Sequence, residues 1–144
     1  MPQGSVLGPV LFLIYINDLP DAISHDINLV MFTDDIKINS SLQSDENCKS
    51  LQTALDKILD WSKRWQLKLS ISKCNILHLG KNNKQYMYRI NQCNLEKTTS
   101  CRDLGVKISD DDKFSLHIRE IEKNAYFKVW QIYQFFASKN IYCC

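Results

Sequence analysis

Apolar residues recur at two different spacings in the middle of the sequence, and this pattern restricts the fold more than any other feature. Over residues 51–65 apolar side chains recur at helical spacing opposite a largely charged face, which predicts an amphipathic helix of about 18 residues. The stripe consists of Leu51, Ala54, Leu55, Ile58, Leu59, Ser62 and Trp65. Residues 67–71 then alternate apolar and polar side chains, which predicts a strand. A chain with both periods belongs to the α+β class, with helices packed on one face of an antiparallel sheet.

Shorter apolar segments predict the remaining elements. A buried helix is expected over residues 9–18, because Pro9 is tolerated in a first turn and Pro20 stops the helix. Further short strands are expected at residues 76–79, 86–90 and 104–108. A final helix is expected over residues 115–136, where Ile118, Ile121, Ala125 and Ile132 form an apolar stripe.

Two adjacent carboxylates stand between two strand-like segments. Residues 27–32 are largely apolar and residues 36–39 alternate, so the section predicts a β-hairpin with Asp34 and Asp35 at its tip. Adjacent carboxylates repel each other unless a cation lies between them. Hard oxygen ligands favour Mg²⁺, and such pairs serve two-metal phosphoryl transfer. An Asp-Asp pair is also common at ordinary turns, so the pair alone leaves a purely structural interpretation open.

Charge is distributed unevenly along the chain. Residues 1–60 hold 3 Lys or Arg against 9 Asp or Glu, whereas residues 61–107 hold 10 against 2. A basic stretch beside an acidic metal site suits a ligand with a phosphate backbone. A solvated basic surface explains the same charges, and the net charge of +2 does not separate the two interpretations.

The six cysteines form neither a zinc-finger pattern nor a disulfide framework. Cys74 and His78 have no second ligand pair at zinc-finger spacing, so no zinc site is predicted. Free thiols indicate a reducing compartment, and we expect an intracellular protein, nuclear or cytoplasmic. The apolar run over residues 6–16 is too short to span a membrane, and no basic residue precedes it as in a secretory signal. We therefore expect neither a membrane partner nor secretion.

A series of motifs in a fixed order resembles the reverse transcriptases of non-LTR retrotransposons, those of the jockey type above all. Residues 2–9 are similar to the P-Q-G-S-x-L-G-P block of that family, and residues 11–20 to the apolar helix that ends in N-D-L-P. Residues 32–35 stand where the family has F-A-D-D. The similarity continues through W-S-x-x-W-x-L, S-K-C-x-x-L-H-x-G and D-L-G-V, at residues 61–67, 72–80 and 103–106, to the start of a thumb near residue 114.

The resemblance implies part of a polymerase that transfers nucleotides from dNTPs to a primer 3′ hydroxyl. Residues 1–109 would be the C-terminal part of the palm, including the primer-grip turn, and residues 110–144 the start of the thumb. Asp34 would ligate Mg²⁺ with the assistance of Asp35. Lys73 would face the leaving pyrophosphate as a charge stabiliser or proton donor. A solvated surface lysine is the plainer interpretation of Lys73.

The same resemblance places two further pairs of residues against the substrates. Gln3 and Gly4 would lie against the template and the incoming nucleotide, where the absence of a β-carbon allows close approach. Leu104 and Gly105 would form the primer-side turn, although an ordinary hairpin explains them as well. The implied partners are an RNA template, a DNA primer and dNTPs.

Two departures from the family pattern bear on activity. Thr33 replaces the usual Ala before the aspartates, a small change if its hydroxyl forms a local hydrogen bond. The family holds its metals with a third Asp on a strand before the P-Q-G-S block, and Met1 stands immediately before that block, where the family usually has a small aliphatic residue. We therefore expect this chain to need the missing N-terminal part of the same polyprotein. Without that part it would be inactive, with an exposed sheet edge and an uncovered apolar side on the 9–18 helix.

Two other interpretations remain open at the level of sequence. The chain is alternatively a catalytically dead, nucleic-acid-binding remnant of a retrotransposon, or a genomic relic without a function as a protein. Trp61 and Trp65 allow stacking on bases. Core packing is the favoured interpretation of this pair, because Trp65 continues the apolar stripe.

Overall fold

The computed structural model describes residues 6–24, 26–41, 44–80 and 83–138, and it confirms the α+β class. The chain divides into two compact units. The first consists of residues 1–76 and 83–96, and the second of residues 77–82 and 97–144.

The described residues form three α-helices and eight short strands. In chain order they are α1 (Leu7–Ile16), β1 (Asn28–Phe32), β2 (Asp35–Asn39), α2 (Asp45–Arg64), β3 (Asn75–Leu77), β4 (Arg89–Ile90), β5 (Cys93–Asn94), β6 (Glu96–Thr98), β7 (Ser100–Asp103), β8 (Val106–Ser109) and α3 (Ser115–Ser138). Antiparallel pairs join β1 to β2, β4 to β5 and β7 to β8. Short 3₁₀ turns lie at Pro20–Ala22 and Ile71–Lys73.

The helix α2 begins and ends as its sequence dictates. The Ser44 hydroxyl accepts a hydrogen bond from the backbone N–H of Asn47 at 3.2 Å, so Ser44 caps the helix N-terminus. Acidic residues occupy the first turn and basic residues the last, which complements the helix dipole. A salt bridge from Lys84 to Asp45 joins a later loop to the first turn of α2.

The core of the first unit forms on the apolar face of α2. Its buried members are Ile16, Leu19, Ile23, Ile27, Ala54, Ile58 and Trp61. Half-buried Leu29, Met31 and Ile38 of the β1–β2 hairpin pack against this cluster, together with Phe12 of α1. The hairpin is therefore held against α2 and the end of α1 by apolar contacts.

The predicted strand over residues 67–71 is wrong. Leu67 and Leu69 are half-buried against the core, but the segment enters no ladder, and Ile71 begins a 3₁₀ turn. The alternation of apolar and polar residues here indicates which side chains face the core. It does not show that the segment pairs with another strand. The strand predicted over residues 86–90 is likewise reduced to Arg89–Ile90.

The predicted boundaries of three other elements also shift. The first helix spans Leu7–Ile16 rather than residues 9–18, since Pro9 falls in the first turn, where a backbone N–H has no intrahelical partner. The strand predicted over residues 76–79 is Asn75–Leu77. That predicted over residues 104–108 is Val106–Ser109, because Leu104 and Gly105 form a turn.

The prediction that the first helix is buried is wrong, since Gly8 and Ile16 are its buried residues, and the expected uncovered apolar side is present. Leu7, Val10, Leu11, Leu13 and Ile14 of α1 are all exposed. The helix α3 likewise carries exposed aromatic and aliphatic side chains along its length. Within the described ranges, no helix combines the length and the apolar character that crossing a bilayer requires.

The two tryptophans at the C-terminal end of α2 differ in burial, although the sequence predicts core packing for both. Trp61 is 7% exposed and its indole N–H donates to Asp18 Oδ1 at 3.0 Å, whereas Trp65 is 36% exposed at the helix end. Trp65 packs edge-to-face on Tyr15, with ring centroids 5.2 Å apart. The core-packing interpretation therefore holds for Trp61.

This difference in burial gives a matched test. We expect Trp61→Ala to lower the free energy of unfolding by about 3–5 kcal/mol, because it leaves a cavity in the core. Trp65→Ala should lower it by about 1 kcal/mol or less, since much of that ring already contacts water. Urea denaturation of both variants measures the two values. Equal losses would contradict the packing described for α2.

The Lys84–Asp45 salt bridge gives a prediction about pH. Its hydrogen bond and charge hold the pKa of Asp45 below its ordinary value of 3.8. A lowered folded-state pKa stabilises the protein above the unfolded pKa, and this contribution is lost as the pH falls through the folded pKa. Asp45→Asn should therefore lower the melting temperature slightly at pH 7 and have no effect well below pH 3.8.

A neighbouring residue provides the control for this prediction. Glu46 shares the first turn of α2 but not the Lys84 contact. Glu46→Gln should change the melting temperature at pH 7 less than Asp45→Asn does. An Asp45→Asn effect of the same size at low and neutral pH would show that the carboxylate charge is not responsible.

Candidate active site

The β1–β2 hairpin carries the adjacent carboxylates at its end. The register runs from Asn28 opposite Asn39 to Phe32 opposite Asp35, which leaves Thr33 and Asp34 as a two-residue turn. Both carboxylates are exposed. The predicted exposed hairpin tip is thus confirmed, with Asp34 in the turn and Asp35 as the first residue of β2.

Thr33 adopts a backbone conformation that is unusual for its residue type. Its φ is +52°, in the left-handed region that a β-branched residue rarely occupies. Its hydroxyl donates a hydrogen bond to Asp34 Oδ1 at 2.9 Å. The local hydrogen bond that the sequence required of Thr33 is therefore present, and it orients the Asp34 carboxylate at the tip. Strained backbone of this kind concentrates at functional sites.

The two faces of the hairpin have different surroundings. Leu29, Met31 and Ile38 face the core. Strand alternation puts Val30, Phe32 and Asp35 on the opposite face, where all three are exposed. The outward face of the hairpin therefore combines the Asp35 carboxylate with the exposed apolar side chains of Val30 and Phe32.

The donor set at the tip fits Mg²⁺ in kind. Asp34 and Asp35 supply exposed carboxylate oxygens, the hard ligands that Mg²⁺ prefers. Over the ranges that the structure describes, no three His, Cys, Asp or Glu side chains converge as a metal site. The hairpin thus offers two carboxylates, and a bound metal would draw its remaining ligands from water, substrate or another segment.

Lys73 lies on a separate element of the same unit. It is exposed and ends the 3₁₀ turn Ile71–Lys73. Cys74 follows it, and its thiol donates to the Ser70 carbonyl at 3.5 Å, while burial raises the pKa of that thiol. His78 is buried.

The second pair of turn residues lies in the second unit. In the β7–β8 hairpin Asp103 pairs with Val106, which leaves Leu104 and Gly105 as the turn. Both have positive φ, +48° and +88°, as a type I′ turn requires. Leu104 is exposed. Gln3 and Gly4, the residues expected near the template and nucleotide, lie outside the described residues.

Sequence reasoning missed the strained backbone of Thr33 and Leu104. The signal for Leu104 was present in part, because a residue-Gly pair between two alternating segments indicates a type I′ turn. The usual first residue of such a turn is Asn, Asp or Gly rather than Leu. Thr33 gave no comparable signal.

The backbone strain at Leu104 can be tested by measuring how a substitution there changes the free energy of unfolding. Leu104→Asn creates the Asn-Gly pair that a type I′ turn favours, so the free energy of unfolding should rise by roughly 0.5–1 kcal/mol. Val106→Asn, two residues on and inside β8, should lower it. Thermal and urea denaturation measure both changes. Destabilisation by Leu104→Asn would contradict the turn geometry.

A model of a known protein family matches most of the chain. Residues 1–108 match the family model described as reverse transcriptase (RNA-dependent DNA polymerase). The match includes the hairpin tip, Lys73 and the Leu104–Gly105 turn. No solved structure gives a significant match.

The relatives found among curated proteins come from mobile elements. The RNA-directed DNA polymerase from mobile element jockey of Drosophila melanogaster is 25% identical over 148 residues, covering 97% of this chain and 16% of that protein. The probable RNA-directed DNA polymerase from transposon X-element, also from Drosophila melanogaster, is 25% identical with the same coverage. The probable RNA-directed DNA polymerase from transposon BS of Drosophila melanogaster is 36% identical over 80 residues, which cover 51% of this chain and 9% of that protein. The chain thus spans about one sixth of the first two relatives.

Proposed function

This chain belongs to the reverse transcriptase (RNA-dependent DNA polymerase) family, and from that premise we propose that its hairpin tip is the metal-binding part of a polymerase active site. The chain corresponds to part of the reverse transcriptase domain of a non-LTR retrotransposon polymerase. The reaction proposed for the whole polypeptide is transfer of nucleotides from dNTPs to the 3′ hydroxyl of a DNA primer on an RNA template.

The observation that carries this proposal is the geometry of the tip. A two-residue turn holds Asp34 in solvent at the end of a hairpin whose other face is anchored in the core. Asp34 and Asp35 would hold Mg²⁺, which when bound neutralises the triphosphate and polarises the primer hydroxyl. The hydrogen bond from Thr33 fixes one Asp34 oxygen and leaves the other available to a ligand.

The other site residues have supporting roles in the proposal. Lys73, exposed and mobile in four side-chain torsions, would stabilise charge on the departing pyrophosphate or protonate it. Leu104 and Gly105 would contact the primer strand through their exposed turn. Gln3 and Gly4 keep the roles that the family resemblance gives them, against the template and the incoming nucleotide.

A second function is favoured by the shortage of metal ligands. The described residues contribute two carboxylates at the tip and bring no third His, Cys, Asp or Glu to them. In this second function the chain is a catalytically dead remnant of a retrotransposon polymerase. It would bind nucleic acid through its basic residues. Primer extension by a longer polypeptide that contains this chain decides between the two functions.

We expect the 144-residue chain alone not to extend a primer. Two carboxylates alone would leave a pair of metal ions under-coordinated. Without correctly bound metal ions, the rate of nucleotide transfer falls by several orders of magnitude. Incubation with an RNA template, a labelled DNA primer, dNTPs and Mg²⁺ measures this. Extension that disappears in Asp34→Ala would show that the chain is sufficient.

In a longer polypeptide that extends primers, we expect Asp34 to be indispensable. Asp34→Asn keeps the size of the side chain and removes the charge that balances Mg²⁺, so kcat should fall by roughly 10³-fold or more. Lys73→Ala should cost less, roughly 10²-fold, because water partly replaces a proton donor.

The control for Asp34 is the same change at another exposed carboxylate. Asp60 lies on α2 in a solvent-exposed pair with Lys63, and Asp60→Asn should leave kcat unchanged. Steady-state extension on an RNA template measures all three variants. Near-normal kcat in Asp34→Asn would remove the hairpin tip from the active site.

A further inference from the structure

A buried hydroxyl in the first unit has no hydrogen-bond partner among the described residues. It belongs to Tyr88, which is 2% exposed and forms a second core cluster with Leu55 and Ile90. An unpaired buried hydroxyl costs free energy, and most buried polar groups in proteins are therefore paired. A group that offered this hydroxyl a strong acceptor would stabilise the fold around it.

The thiol of Cys48 lies beside the Tyr88 hydroxyl. Cys48 belongs to the first turn of α2 and is 0% exposed. Burial, together with this thiol, raises the pKa of Tyr88 above its ordinary value of 10, so the phenol keeps its proton and remains a donor at neutral pH. A thiol sulfur is a weak acceptor, and this contact leaves the hydroxyl unsatisfied.

The segment that carries the tyrosine is fastened to α2 at both ends. Residues 83–88 form neither a helix nor a strand, and we name them the strap. At one end Lys84 forms its salt bridge with Asp45. At the other end the side-chain amide of Gln52 exchanges two hydrogen bonds with the backbone of Arg89, at 2.9 and 3.0 Å. The salt bridge is exposed, and exposed ion pairs are weak, so the strap opens at this end at small cost.

We propose that Cys48 is an oxidation site for peroxides, and that the Tyr88 hydroxyl donates a hydrogen bond to the oxidised sulfur. A peroxide reaches the thiol when the strap opens. The thiolate sulfur attacks one peroxide oxygen, the O–O bond breaks, and the departing hydroxide takes up the thiol proton and leaves as water. The sulfur is oxidised to a sulfenic acid and the peroxide is reduced. The new oxygen is the acceptor that Tyr88 lacks in the reduced chain.

The burial that slows this oxidation also protects its product. With the strap closed, the sulfenic acid on Cys48 is shielded from a second peroxide molecule and from other thiols, the two reactants that consume it. Cys93 is exposed, so a sulfenic acid there has no such shield. The site therefore stores a single reversible oxidation, and this inference does not depend on the polymerase reaction.

Tyr88→Phe is the direct test, because it keeps the ring and removes the hydroxyl. Hydrogen peroxide oxidises the 144-residue chain and is removed, dithiothreitol is added, and the surviving sulfenic acid is trapped with dimedone in urea. Mass spectrometry of the Cys48 peptide then gives its half-life. This half-life should be several-fold shorter in Tyr88→Phe, because one hydrogen bond fewer holds the strap closed on the oxidised sulfur.

The reduced chain provides the opposite sign. In that state Tyr88→Phe removes an unpaired hydroxyl, so the melting temperature should stay unchanged or rise. A tyrosine whose hydroxyl only served packing would give the same effect before and after oxidation. The sulfenic acid on Cys93 should have the same short half-life in both chains.

The rate of the first oxidation tests the strap. Lys84→Gln removes the ion pair, so Cys48 should react with peroxide roughly two- to five-fold faster. The matched control is Lys63→Gln, which removes a lysine from the exposed pair with Asp60 on α2 and should leave the rate at Cys48 unchanged. Cys93 should react equally fast in all three chains.

Any of four results would overturn the inference. They are equal half-lives of the Cys48 sulfenic acid with and without the Tyr88 hydroxyl, a lowered melting temperature or failure to fold in reduced Tyr88→Phe, equal Cys48 rates in Lys84→Gln and Lys63→Gln, and an unreactive Cys48 after Cys93 is fully oxidised. None of these measurements involves primer extension, so the proposed function is tested separately.

Discussion

Burial of the apolar face of α2 is the interaction on which the first unit depends. A two-stranded hairpin is at best marginally stable in water, so β1 and β2 need an apolar surface behind them. Ala54, Ile58 and Trp61 provide that surface together with the end of α1. Because the inner face of the hairpin is anchored in this way, its tip holds Asp34 and Asp35 at a fixed place in solvent. The position of the two carboxylates thus depends on the packing of the hairpin against α2.

The turns at Thr33–Asp34 and Leu104–Gly105 resemble each other in their backbone. Thr33 and Leu104 both have positive φ without being glycine, and each lies in a two-residue turn between antiparallel strands. Residues in this region cost free energy that the flanking ladders must offset. Selection for stability alone would favour Gly or Asn at these positions. The stability of the turns therefore does not explain the Thr and Leu found at these positions.

What the sequence could predict was local. The periodicity of α2 and the position of the β1–β2 hairpin are set by neighbouring residues, so they were found, as were Asp34 and Asp35. The segment 67–71 shows the limit, because alternation indicates which side chains face the core and not whether a partner strand exists. The Arg102–Glu120 contact spans 18 residues and two element types, so only the fold reveals it. The difference in burial between Trp61 and Trp65 could not be predicted for the same reason, since it depends on contacts with Asp18 and α1.

The central claim is that the hairpin tip binds a divalent metal, and paramagnetic NMR of the 144-residue chain tests it most directly. Mn²⁺, a stand-in for Mg²⁺, should broaden the amide signals of residues 32–36 at millimolar concentration, and excess Mg²⁺ should restore them. Asp34→Asn should abolish the broadening. The turn at residues 110–112 holds three aspartates and is the built-in comparison. Broadening centred on residues 110–112, with residues 32–36 unaffected, would contradict the assignment.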